Sequence, residues 1–210
     1  MELQRTANAG VLIKLDGIAI LLDGLCEGHE GYLPTPGSVI QSLLDSPPDL
    51  LAFTHSHPDH CGRALLLPYK TQKLRPILGP ESLPIEAVRV GEVTVTAVET
   101  RHLGKTEPGL QHHSYVIEGS KCIWFMGDAA PTEMKKLASF PRPDVLIAPY
   151  AYANTPAAWE TTRRLCSGAV VILHLPEKEK DTYGLWQQVK LVTDGGNRPF
   201  IPEIGELVRC

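Results

Sequence analysis

Residues 55–60 read His-Ser-His-Pro-Asp-His, which places three of the chain's eight histidines and one aspartate within six positions. Imidazole nitrogens and carboxylate oxygens together suit zinc, manganese or iron. Alternate residues of a non-helical turn point the same way, so His55 and His57 face one position while Asp59 and His60 serve a second. Pro58 lacks an N–H and has a fixed φ, and a stiff turn loses less entropy in gathering ligands. Three more residues of these types stand apart in the chain: His102, Asp128 and His174. A lone histidine is more often an ordinary hydrogen-bonded residue than a ligand. What singles these out is where they fall.

Each follows an apolar segment that reads as a strand. Residues 49–54 run into His55, and residues 93–98 lead through Glu99-Thr100-Arg101 to His102. Residues 122–126 reach Asp128 through Gly127, and residues 169–173 end at His174. Ligands of open α/β sheets gather beyond the carboxyl ends of strands. One ion would take His55, His57 and His102; a second would take Asp59, His60 and His174; Asp128 would bridge them. The expected cofactor is two divalent metal ions, zinc first, with manganese or iron able to replace it.

The rest of the chain supplies the elements that position these residues. Strands are expected at 10–15 and 18–22, joined by the hairpin signal Asp16-Gly17. A helix over 38–44 stops at Pro47-Pro48, and a short helix begins near Gly62. Further strands fit 88–90, 93–98, 114–118, 122–126, 144–148 and 169–173, with a last one at 203–208. Helices fit 131–138 behind Pro131, 156–166 behind the cap Thr155, and 181–192. Each half is β-rich first and then alternates strand and helix, which predicts two sheets covered outside by helices. No repeat shows in the residues themselves.

The 210 residues suit a single domain built of two halves, about 1–105 and 106–210. A net charge of −4 and the lack of a long basic stretch argue against nucleic acid as a partner. The five cysteines are odd in number and form no CxxC pair, which fits reduced thiols. The first residues do not read as a signal peptide, and no apolar run approaches the ~20 residues of a membrane helix. The expected setting is cytoplasmic, with a small-molecule substrate and no membrane partner; a homo-oligomer stays open.

His55-Ser56-His57-Pro58-Asp59-His60 matches the pattern HxHxDH without departure, and His102, Gly127-Asp128 and His174 follow in order. In this the chain resembles the metallo-β-lactamase superfamily over roughly residues 8–208. The resemblance implies a four-layer αββα sandwich of two mixed β-sheets flanked by helices. It also implies that Asp23, closing "ILLD", supports the metal loop. The opening "NAGVLIKLDGIAILLDG" is similar to the first hairpin of the small metal-dependent hydrolases, a branch that includes lactonases, ribonuclease Z and phosphodiesterases. The expected activity is hydrolysis of an ester-like bond, in a lactone, thioester or phosphoester, by water activated between two metals. Competing readings are a phosphodiesterase or nuclease of the same fold, a mononuclear iron persulfide dioxygenase, and a non-catalytic metal-binding protein. The complete second ligand set argues against a mononuclear site, and His57, where flavodiiron oxidases tend to carry Glu, against redox use.

Two residues are candidates for the chemical step. Asp59 could orient the attacking water as well as ligate. His113 could contact substrate or donate a proton, or could be a polar strand residue. His112 reads as structural. His29, Tyr150 and Tyr152 lie where loops border a site. Cys61 suits a small buried residue at a helix start, and Trp124 and Phe125 suit the core. Specificity is expected from loops 25–35 and 105–112.

Overall fold

β1 (Glu2–Arg5), β2 (Val11–Leu15) and β3 (Ile18–Leu22) form an antiparallel meander. Asp16 and Gly17 both take left-handed backbones, with φ of 52° and 80°. Two such residues make the turn whose twist matches the strands on either side, so Leu15 lies opposite Ile18. β4 (Leu50–Ala52) and β5 (Ile77–Leu78) then add in parallel to β3. These observations come from a computed structural model that describes residues 1–29, 31–80, 87–104, 107–166, 168–194 and 198–210.

A second sheet repeats the pattern. β6 (Ala87–Val90), β7 (Val93–Glu99), β8 (His113–Glu118) and β9 (Cys122–Phe125) are antiparallel, and β10 (Val145–Pro149) and β11 (Ala169–Leu173) add in parallel to β9. β12 (Leu207–Arg209) returns to the first sheet beside β1. The orders are β12-β1-β2-β3-β4-β5 and β11-β10-β9-β8-β7-β6. β1 to β5 and β7 to β11 thus share one pairing scheme that the residues do not reveal. The second sheet begins with β6 at Ala87, β6 pairing with β7 and β7 with β8, while β12 closes the first sheet beside β1.

The sheets face one another across a core of alternating side chains. Val11, Ile13, Ile20 and Leu22 of the first meet Val95, Ile117, Phe125 and Ile147 of the second, all 1% exposed or less. At about 25 cal/mol per Å² of apolar surface removed from water, this is the main force holding the layers together. α1 (Gly37–Asp45) and α2 (Arg63–Pro68) cover the outside of the first sheet through Leu43 and Leu66. α2 continues through one wide π turn, Tyr69–Lys73. α3 (Pro156–Leu165) and α4 (Leu185–Thr193) lie on the second-sheet side, where Leu185 and Val189 of α4 join the outer apolar cluster. Helix, sheet, sheet, helix is the four-layer order expected.

Three departures have local causes. The helix behind Pro131 is a 3-10 helix, Pro131–Leu137, and its three-residue repeat stacks the buried Met134 and Leu137 on one side. α4 starts at Leu185 because Gly184 is left-handed (φ 65°) and the Asp181 carboxylate accepts the Leu185 and Trp186 amides at 2.9 and 3.0 Å. β4 stops at Ala52, before the expected Thr54, because the Thr54 N–H leaves the ladder for the Asp23 carboxylate at 2.7 Å. Among the described residues no helix is long and apolar enough to cross a membrane.

Candidate metal centre

Asp23 follows β3 with a left-handed backbone, φ 46°. Its Oδ1 accepts the Thr54 N–H, and its Oδ2 accepts both the Thr54 hydroxyl and His60 Nδ1–H, each at 2.7 Å. The side chain is fully buried. One carboxylate therefore holds both ends of the histidine turn.

The outward hydrogen bonds also fix the imidazole tautomers. Thr54 gives its hydroxyl proton to Asp23, so its oxygen accepts from His55 Nδ1–H at 2.9 Å. His102 Nδ1–H donates to Leu103 O at 2.5 Å, and His57 Nε2–H to Glu107 Oε2 at 3.3 Å. In His55, His57, His60 and His102 alike, the nitrogen facing away from the cluster carries a proton, so the inner nitrogen is the one that can meet an ion. Outer acceptors of this kind are the usual partners of metal-binding histidines.

The inner atoms converge. Ligand atoms of His55, His57 and His102 lie within 4.8 Å of one another, as do those of Asp59, His60 and His174, and those of His55, His60 and Asp128. The first two groups are the sets expected from the sequence, and the third joins Asp128 to both. Asp128 Oδ2 stands 3.4, 3.6 and 3.2 Å from the Nε2 atoms of His60, His102 and His174. Asp59 Oδ2 is 3.1 Å from His174 Nε2. The histidine turn follows β4 of the first sheet, while His102, Asp128 and His174 follow β7, β9 and β11 of the second, so the cluster straddles both sheets.

Two backbone conformations make this convergence possible. Gly127 has φ 54°, and a Cβ there would meet Thr54 Cγ2 at 2.4 Å, so only glycine lets β9 turn this close to the histidine loop. His174 is left-handed too, with φ 58°. Such a backbone costs a non-glycine residue about 1–2 kcal/mol and is typical of functional sites.

Buried polar atoms without a hydrogen-bond partner occur here: His60 Nε2, His102 Nε2 and Asp128 Oδ1. Each costs about 1–3 kcal/mol if nothing binds it. An imidazole and carboxylate set with no thiolate fits zinc, manganese or iron. Charge is distributed to match. Burial opposes charge on Asp128, but His174 and His60 hold its carboxyl well below the ordinary range. Burial likewise opposes charge on His60, yet Asp128 and Asp23 raise it well above its usual value. His55 is lowered by burial and by the neighbouring His60.

Around the cluster the sequence expectations meet mixed outcomes. Tyr32, which the sequence did not single out, packs against His174 with ring centroids 4.4 Å apart and the planes tilted by 59°. Glu107 was equally unforeseen. His29 is exposed and closes the turn that carries Tyr32, their amides and carbonyls pairing at 2.7 and 3.2 Å. Tyr152 is core, its hydroxyl donating to Ala130 O at 3.1 Å, whereas Tyr150 is half-buried near Asp128. His113 pairs across the strands with Glu99, the charged group it faces. The ring that touches the cluster is His112, 5.1 Å from His55 between centroids, and burial lowers its pKa to about 3. Cys61, Trp124 and Phe125 are buried in apolar clusters as expected. Lys105 and Thr106 of the second specificity loop lie outside the described residues. A cleft of about 190 Å³ opens beside His102, lined also by Arg101, Glu107 and Lys136.

Comparisons with known proteins bear on the family and the fold. Residues 2–174 match the beta-lactamase superfamily domain. The chain belongs to that family. Within the superfamily it is similar in structure to a possible metal-dependent hydrolase from Veillonella parvula, at 14% identity and a TM-score of 0.77 over 99% of this chain and 98% of that one. It is similar also to an isothiocyanate hydrolase from Delia radicum gut bacteria, at 18% identity and a TM-score of 0.71 over 100% and 99%. CmlA, a diiron beta-hydroxylase from Streptomyces venezuelae, matches all of this chain with 54% of its own length, at 16% identity and a TM-score of 0.67. No curated protein matches the sequence. At these identities the structural likenesses speak for the superfamily fold alone.

Proposed function

We propose that this superfamily member is a hydrolase that binds two divalent metal ions and cleaves an ester-like bond of a small molecule. His55, His57 and His102 would hold one ion and Asp59, His60 and His174 the other, with Asp128 between. The observation that carries the reading is Asp128 Oδ2, one carboxylate oxygen within 3.6 Å of inner nitrogens from both sets. Ions held there supply Lewis acidity and lower the pKa of bound water from 15.7 to about 7.

The chain's own groups do the rest. Burial works against the Asp59 charge, but His174 and His60 keep its carboxyl below the usual range, so it is an ionised acceptor able to orient the attacking water. Tyr32, against His174, walls one side of the substrate space. The cleft beside His102 offers Arg101 and Lys136 to an anionic part of a substrate and Leu110 to an apolar one.

Elemental analysis of freshly purified protein, followed by turnover assays before and after chelation, tests the reading. Lactone, thioester and phosphodiester substrates form the panel, with an isothiocyanate added because one structural neighbour is named for that activity. Two ions per chain and a turnover lost with the metal are the expected results. Turnover that survives complete metal removal would reject it. The diiron neighbour gives iron a place among the metals assayed.

A further inference from the structure

We infer that His112 is a positioning residue for Asp128, the terminus of a one-way hydrogen-bond chain that holds the Gly127 turn from both ends. The inference rests on the metal-binding reading of Asp128. His112 is 2% exposed. Its Nε2 lies 3.1 Å from the backbone N of Asp128. An amide can only donate, so Nε2 is bare and the imidazole proton sits on Nδ1. Nδ1–H then donates to Thr100 Oγ1 at 2.8 Å. At the other end, the Ser114 hydroxyl donates to Met126 O at 3.1 Å, because a carbonyl can only accept. That leaves Thr100 as donor to Ser114 Oγ, at 3.0 Å. Every proton in the chain is assigned from its two ends, and the assignments agree at Thr100.

The two ends fall on residues 126 and 128, either side of left-handed Gly127. A glycine turn has the most backbone freedom to lose, so its orientation must be set by outside contacts. The Asp128 carbonyl is held in turn by the Leu103 N–H at 2.7 Å. The amide of Asp128 is therefore fixed by His112 and its carbonyl by the residue that follows His102. This frame aims the carboxylate, whose Oδ1 has no partner and whose Oδ2 meets only the clustered histidines. His112 is not part of any of the three ligand groups. Its work is to accept one amide proton at a buried position, which asparagine or leucine cannot do from the same backbone position.

The test compares His112→Gln, His112→Asn and His112→Leu. A glutamine carbonyl can reach the place of Nε2; an asparagine amide reaches only the place of Nδ1 and keeps the Thr100 contact. Zinc affinity is measured by competition with a chromogenic chelator, and the visible spectrum is recorded on cobalt-loaded protein. Expected are near-native affinity and spectrum for Gln, and affinity about 10- to 100-fold weaker with an altered cobalt spectrum for Asn and Leu, the usual effect of removing a ligand's hydrogen-bond partner. Melting of the metal-free forms identifies a variant that fails to fold, in which case Thr100→Val, which breaks the chain one step away, is read in its place. Unchanged affinity and spectrum in the folded Asn, Leu or Val variants overturn the inference while the metal site stands. Wild-type protein that binds neither ion overturns both readings.

Discussion

His55 Nε2 and His57 Nδ1 face each other at 2.9 Å, and neither has a proton to offer the other. The proton of His55 is committed to Thr54 and that of His57 to Glu107. Two lone pairs at that distance repel unless a cation lies against both. The far side of each ring thus decides what the near side can bind, and that decision is made by residues outside the cluster.

Metal removal should be visible in stability. A ligand that binds only the folded chain adds about 2.7 kcal/mol at a hundred times its Kd. For a chain of this length that is roughly 5–10 °C of melting temperature. Calorimetry with and without chelator measures it, and superimposable melts would argue against a bound ion.

Asp23→Asn replaces an acceptor with a group that must donate toward Thr54 or His60, both of which are donors here. Metal affinity should fall about 10- to 100-fold, with a loss of about 1–3 kcal/mol in urea unfolding of the metal-free protein. An unchanged affinity would mean that the tautomers of His55 and His60 are set by something else.

Gly127→Ala places a methyl group 2.4 Å from Thr54 Cγ2 on a left-handed backbone. Strain and overpacking together should cost about 2–5 kcal/mol. The same substitution at Gly104, left-handed with nothing near its Cβ, should show only the backbone part. Paired urea melts separate the two contributions.

His113→Gln should leave kcat/KM within about twofold, the range of substitutions that touch no special feature, because its ring faces Glu99. Tyr32→Ala, which strips the wall from His174, should instead change KM. A large fall in kcat for His113→Gln, with folding intact, would restore it as a proton donor.

Without metal, pH should act through His60. Its folded pKa lies above the model-peptide value of 6.5, so the folded state holds that proton more tightly than the unfolded chain does. The resulting stability is present in full below 6.5 and is lost as pH rises through the raised value. Chelated protein should thus melt at lower temperature as pH is raised above 6.5 through that raised value, whereas loaded protein, in which metal replaces the proton, should not.

The seven clustered side chains were legible because four of them fall in His55-Ser56-His57-Pro58-Asp59-His60 after one apolar strand, and because the other three each follow a further apolar strand. Thr54, Glu107 and the Leu103 carbonyl were not. Each orients a histidine through one hydrogen bond, and nothing in their type marks a threonine, a glutamate or a backbone oxygen as special. Tyr32 was hidden in a loop with no period to read. His112 and His113 differ by one position, and only the strand register decides which ring reaches the cluster. β1, of four residues, and β5, of two, are too short to show alternation. The pairing scheme shared by the two sheets is a property of backbone geometry, which no residue type spells out.

Because the cluster draws on both sheets, it joins residues 115 apart in the chain, as in the contact between Asp59 and His174. Contacts of such long range close late, after the layers have met. An ion captured there would do little to hasten folding. It would act as a rivet set after assembly, lengthening the life of the finished molecule by slowing its unfolding.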